Sequence, residues 1–253
     1  MNKQFLKTAM AGSVACATLL MGSSLVQAAS YSATQDTYIY EFFGNQGAGA
    51  GDSNGINVWN HESNHGAQGL VRFDSAWAGD AAILSGNYTA TLNIFSYCET
   101  GGFVGACAGE AAAVTTDVVL QGSAWLEDDG ALGWGDVSQA SSPSASFTQA
   151  TVGEGWISLD ITDLVNSWVL GGVADNGLAL TQEAYGVVRN ASNSLTVSQF
   201  CDSESTNAAC AAGGLSPYLE INAPAAVPVP GAAWLFGSAL VGLTGIGRNR
   251  KAK

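Results

Sequence analysis

Short runs of alternating β-branched and aromatic residues, each stopped by Gly, Asn or Asp, recur through the middle of this chain and leave few folds open to it. The clearest is Tyr88-Thr89-Ala90-Thr91-Leu92-Asn93-Ile94-Phe95, where apolar and polar side chains alternate as in a strand with one buried and one solvated face. Thr37-Tyr38-Ile39-Tyr40, Ile56-Asn57-Val58-Trp59, Gly69-Leu70-Val71-Arg72-Phe73 and Asp117-Val118-Val119-Leu120 have the same character. So do Trp156-Ile157-Ser158-Leu159-Asp160, Leu178-Ala179-Leu180, Leu195-Thr196-Val197-Ser198 and Tyr218-Leu219-Glu220-Ile221. About nine or ten short strands with long loops predict an all-β chain, a single jelly-roll or β-sandwich domain over residues 29–223.

One segment has a different period. Ile161, Leu164, Val165 and Trp168 fall at helical spacing, with Asp160 or Thr162 available as a cap and Gly171-Gly172 as a stop. This predicts one short amphipathic helix that closes an end of the sandwich, with Trp168 as a core plug. The Gly44–Gly55 stretch and the Ser-rich stretch from Asp136 to Thr148 read as surface loops. Glu127-Asp128-Asp129 reads as an exposed turn.

Basic charge is confined almost wholly to the ends, and acidic charge to the middle. Six of the eight basic residues lie within the first seven or the last six positions, and only Arg72 and Arg189 stand among the 21 acidic residues. That balance excludes nucleic acid as a partner, because phosphate binding needs clustered Lys and Arg. Residues 1–28 have the three parts of a signal peptide: Lys3 and Lys7, an apolar small-residue stretch from Thr8 to Val26, and the Val26-Gln27-Ala28 cleavage site. Residues 224–253 hold a stiff Val227-Pro228-Val229-Pro230 spacer, an uncharged run over 231–247, and a basic cluster from Arg248 to Lys253. The run is long enough for a short transmembrane helix whose basic end stays cytoplasmic. This tail resembles the PEP-CTERM sorting signal of Gram-negative bacteria, with Val229 in place of the Glu of the name-giving motif. The resemblance implies signal peptidase and exosortase as partners during export and an inner-membrane intermediate. It also implies cleavage near the Pro motif and delivery to the cell surface or the exopolysaccharide matrix.

The cysteines agree with an oxidising destination. Cys98, Cys107, Cys201 and Cys210 allow three connectivities, of which the local pairs Cys98–Cys107 and Cys201–Cys210 are the simplest. A zinc site is the competing reading, although zinc motifs space their cysteines more closely.

The order of the central pieces resembles the DNRLRE-type domain, a jelly-roll module of bacterial surface proteins related to a carbohydrate-binding module family. The resemblance rests on Asp36-Thr37-Tyr38-Ile39, Leu70-Val71-Arg72-Phe73-Asp74, and Trp125-Leu126-Glu127 followed by Trp134. It continues through Ile161–Trp168, Asn176-Gly177-Leu178-Ala179-Leu180, Phe200, Ser203-Glu204 and Pro217-Tyr218-Leu219-Glu220-Ile221. The Gly-rich loop and both cysteine loops look like insertions into that pattern.

No motif places a catalytic constellation. There is no Gly-x-Ser-x-Gly elbow, no His-Glu-x-x-His and no phosphate loop, and paired carboxylates are inevitable by chance among so many acids. A non-catalytic protein that binds polysaccharide is the expected class. A purely structural matrix component is the alternative, and a glycan-active enzyme a distant one. Trp59, His61, Tyr185 and Arg189 are the candidate sugar-binding residues, since sugars are held by aromatic faces and by hydrogen bonds from Arg or amides. Asp52-Ser53-Asn54-Gly55 resembles part of a calcium loop, with Asp52 and Asn54 as ligands. Arg72, inside an apolar strand beside Asp74, is expected to be a partly buried, ion-paired guanidinium.

Overall fold

The computed structural model describes residues 28–41, 44–45, 55–59, 66–97, 114–138, 143–149, 154–182, 198–204, 209–210 and 213–223. They belong to one compact unit, Val26–Pro224. Among the described residues there are eleven strands: β1 (Ala28–Tyr40), β2 (Gly44–Asn45), β3 (Ile56–Val58), β4 (Ala67–Phe73), β5 (Thr89–Ser96), β6 (Val114–Leu120), β7 (Ser144–Gln149), β8 (Gly155–Asp160), β9 (Leu178–Thr181), β10 (Ser198–Phe200) and β11 (Tyr218–Asn222). There are two short α-helices, α1 (Ala81–Ser85) and α2 (Thr162–Val169). All the pairings between these strands are antiparallel. The chain is therefore all-β, as its alternation predicts.

The pairings form two sheets joined by β1. Residues 28–32 of β1 pair with β11, which pairs with β5. The other edge of β5 carries β8, and β10 with β3 continues from its far end. A register shift between Ala33 and Gln35 then carries β1 into the second sheet, in the order β2, β1, β4, β9, β6, β7. The bulge lets one strand serve both sheets by turning its hydrogen-bonding edge.

The inner faces share one core. Leu92, Ile94, Phe200, Leu219 and Ile221 come from the first sheet, and Val71, Val118, Leu178 and Leu180 from the second. Gly69 of β4 lies close against β3 of the other sheet: a Cβ there would meet Ile56 Cγ2 at 2.5 Å and Val58 Cγ2 at 3.3 Å. The second sheet is covered on its outer face too. Ile39, Leu70, Val119 and Ala179 pack under Trp125, Leu132 and Val137 of the segment that follows β6. Trp125 is fixed by its indole N–H, which donates to the Asn176 carbonyl at 2.7 Å.

α2 forms where the helical spacing predicts it. Asp160 Oδ1 accepts from the Thr162 backbone N–H at 2.9 Å, and Ile161, Leu164, Val165 and Trp168 are buried. Trp168 packs on Trp77 with centroids 5.5 Å apart, as a core plug should. At the far end of β5 the interior is polar. Gln182 donates to the Val58 carbonyl and to Ser198 Oγ, Ser198 donates to Gln149 Oε1, and Gln149 donates to Ser96 Oγ.

Three expectations are corrected. The Ser-rich stretch read as a loop contains strand β7, whose alternating exposure turns Ala145 and Phe147 toward the core. A 3-10 helix over Ser75–Gly79 and α1 were not foreseen; Asp74 and Asp80 cap them by accepting from the N–H of Ala76 and Ala82. The Glu127 turn forms, but its glutamate points inward, as described below. Among the described residues no helix is long and apolar enough to cross a membrane. The expected signal peptide, except its last residue Ala28, and the helix over 231–247 lie outside the described residues.

Candidate functional site

Of the expected sugar-binding residues, Trp59 is described. It follows β3 and bridges to Ala67, each backbone N–H donating to the other's carbonyl at 3.0 Å. Its ring leans on Tyr40 at 5.4 Å and Tyr38 at 6.4 Å, so most of its apolar surface is committed to packing. Its buried indole N–H has no acceptor among the described residues. His61, Tyr185 and Arg189 lie outside the described residues, as do Asp52, Asn54, Cys98, Cys107, Val227, Pro228, Val229 and Pro230. Among the described residues no group of three or more His, Cys, Asp or Glu side chains is placed to hold a metal ion.

Arg72 is half-buried on β4, in register with Gln35. The expected ion pair does not form among the described residues, and the nearest carboxylate in sequence, Asp74, is used to cap the 3-10 helix. A half-exposed guanidinium can stay hydrated, so it does not require a partner.

The Cys201–Cys210 disulfide is formed, with Cα atoms 5.5 Å apart. Both cysteines are buried with Tyr97, and Phe95 and Leu215 pack against them. The disulfide itself thus packs beside Phe95, on the outer face of the first sheet.

Two side-chain constellations stand out. The first is an acidic junction. Asp36 on β1 is buried, and both its carboxylate oxygens accept from the Ser203 backbone N–H at 3.1 and 3.2 Å. Its own backbone N–H donates to Glu127 Oε2 at 3.3 Å, and the Glu127 carboxyl hydrogen-bonds that of Glu204. Asn45 holds the Glu127 turn by donating to the carbonyls of Glu127 and Asp129. Three separate segments therefore meet on carboxyl groups. Burial, with the nearby charges of Asp202 and Glu204 and against the lowering effect of Ser203, pushes Asp36 up to about 7. Burial, with the Glu204 hydrogen bond and the charges of Glu204 and Asp36, pushes Glu127 up to about 8. The one basic side chain among the described residues, Arg72, contributes to neither.

The second constellation lies on the outer face of the first sheet. Period-two geometry turns Ile157 and Leu159 of β8 inward and Trp156, Ser158 and Asp160 outward. Across the ladder Trp156 stands beside Phe95, and Ser158 beside Asn93; on the other edge Tyr218 stands beside Asn93. Trp156 makes edge contacts with Phe95 at 5.5 Å and 79° and with Tyr218 at 5.3 Å and 71°. It remains 43% exposed. Ser158 donates to Asn93 Oδ1 at 2.6 Å, and Asn93 is buried. Asp160 and Glu220 follow on the same face. Sequence reasoning passed over Trp156, although its strand gives the signal: Trp, Ser and Asp alternate with Ile and Leu, which places the Trp on the polar side.

A scan against protein-family models and a search of curated proteins found no match to this chain.

Proposed function

We propose that this is an exported, surface-sorted, non-catalytic protein that binds polysaccharide in an extracellular matrix through a jelly-roll domain. The observation that carries the binding reading is Trp156, which stands open to solvent on a sheet face where two other large aromatics, Phe95 and Tyr218, pack against it. A tryptophan presented in this way costs solvation and contributes little to the core, whereas indole faces suit the C–H faces of sugar rings. The export half rests on the three-part N-terminus, the PEP-CTERM-like tail and the DNRLRE-like order of motifs. The Cys201–Cys210 bond suits a compartment that keeps thiols oxidised.

The test has two readouts. The full chain is expressed in a Gram-negative host with an exosortase, and the mature termini are read by mass spectrometry from the matrix fraction. The reading expects loss of residues 1–28 and cleavage near Val227–Pro230; an unprocessed intracellular chain refutes it. Retardation on a panel of neutral and acidic polysaccharide gels then tests binding, and a folded protein that ignores the whole panel leaves the purely structural role.

A further inference from the structure

Resting on that reading, we infer that Trp156 is the sugar platform of this domain and that its ligand is a neutral polysaccharide, gripped at one ring by the indole with Ser158 beside it. Three observations converge on the outer face of the first sheet. The first is geometric. The Phe95 and Tyr218 rings lie at 79° and 71° to the Trp156 ring, with centroids 5.5 and 5.3 Å away. Crossed planes do not make a flat three-ring surface for a crystalline sheet of chains. They brace one indole from two neighbouring strands, so the ordering cost that a free surface side chain would meet on binding is already met in the fold. Phe95 is in turn packed against the cluster of Tyr97 and the disulfide-bonded Cys201 and Cys210, so the support beneath the platform is covalently tied.

The second observation is the hydrogen-bonding character of the rim. Ser158 gives its proton to buried Asn93 at 2.6 Å, which leaves the exposed hydroxyl oxygen as an acceptor. Asp160 and Glu220, on the same face, are acceptors as well. An acceptor-rich rim around an aromatic centre suits a ligand with an apolar ring face and hydroxyl donors at its edge, which is the chemistry of a pyranose.

The third is charge. No Lys, Arg or His side chain among the described residues lies on this face, and Asp160 and Glu220 flank it. Uronate or sulfate groups along a chain laid here would meet like charge without a compensating cation, so anionic polysaccharides are excluded and neutral ones accepted.

The experiment uses the full chain with its disulfide intact. Affinity is measured for laminarin, galactomannan and xyloglucan as neutral probes and for alginate as the acidic one, in the wild type, Trp156→Ala and Trp59→Ala. The expected result is saturable binding to at least one neutral probe, at least a tenfold loss in Trp156→Ala, little change in Trp59→Ala, and no binding of alginate. Because Trp156→Ala could disturb folding, the wild type is also oxidised with N-bromosuccinimide with and without the saturating neutral probe. Bound polysaccharide should protect Trp156 when modification is mapped by mass spectrometry. Neutral-probe binding that leaves Trp156 unprotected, or that survives Trp156→Ala, overturns this site while leaving polysaccharide binding standing. Alginate binding as tight as that of the neutral probes overturns the ligand class. Binding to none of the four overturns the site and removes the support for the broader reading. Trp156-dependent self-association without sugar binding overturns the site too, and makes this face an interface between copies.

Discussion

Replacing Asp36 by Asn should flatten the pH dependence of stability. In the wild type both Asp36 and Glu127 titrate well above their unfolded values, so the folded protein holds protons that the unfolded chain has already released. The associated stability is complete below the unfolded carboxyl pKa and is lost as pH rises through about 7 for Asp36 and about 8 for Glu127. For Asp36 alone, moving from 3.8 to about 7 corresponds to about 4 kcal/mol at roughly 1.4 kcal/mol per pH unit. Relaxation and water entry at the junction bring the expected loss to the order of 2–4 kcal/mol. Asn cannot ionise, yet its amide oxygen can still accept from the Ser203 N–H, so it mimics the protonated acid. Urea unfolding of wild type and Asp36→Asn is compared from about pH 4 to about pH 8.5, a window that spans the titration. The two should be nearly equal at the acid end and separate progressively, with the variant more stable at the alkaline end. Carboxylates away from this junction contribute equally to both curves and cancel in the difference, whereas Glu127 loses the raising charge of Asp36 in the variant and adds to the separation in the same direction. Parallel curves, or a variant less stable at every pH, would refute the claim that Asp36 is held protonated by burial among other carboxyls.

Other expectations follow from the packing. Breaking the Cys201–Cys210 bond by Cys→Ser at both positions should cost about 2–3 kcal/mol from loop entropy, read as a lower Tm, and an equal Tm in wild type with and without reductant would contradict it. Gly69→Val should cost about 1–3 kcal/mol, because its branches would meet Ile56 and Val58 across the core; an unchanged urea midpoint would show that the sheets separate freely. Trp168→Ala should cost about 3–5 kcal/mol by emptying the space beside Trp77, and it should also release Trp77 fluorescence from its present environment.

Much of the strand map was legible because burial on one face imposes alternation, which composition alone would not reveal. Tyr88–Phe95 and Trp156–Asp160 show it directly, and both became strands, with Ala90, Leu92 and Ile94 of the one and Ile157 and Leu159 of the other turned inward. β7 was hidden because Ser144-Ala145-Ser146-Phe147-Thr148-Gln149 alternates with only one large apolar residue, and its pairing with β6 is what makes it a strand. Helix α2 was legible from four apolar positions and two glycines, whereas α1 is a five-residue helix set by its Asp80 cap. Glu127 could not be placed from sequence. It sits in a run of three acids typical of a solvated turn, and only the tertiary approach of Asp36 and Glu204 turns it inward. Trp156 was readable in principle, because its period-two partners are Ser158 and Asp160, but a tryptophan invites the assumption of burial.

The crossing of β1 from one sheet to the other has a mechanical consequence. Its first residue, Ala28, lies opposite Asn222 at the end of β11, so the first and last strands of the domain are antiparallel neighbours with their outer ends together. Traction on those two ends would open the β1–β11 ladder like a zip, one hydrogen-bonded pair at a time, and the domain should yield at low force. Load carried between the end of β11 and a chain held at Trp156 takes another route, through β11, β5 and β8. Along that route five pairs in one ladder and six in the next resist together in shear. The same domain would be soft toward its own ends and stiff toward whatever is held on its first sheet.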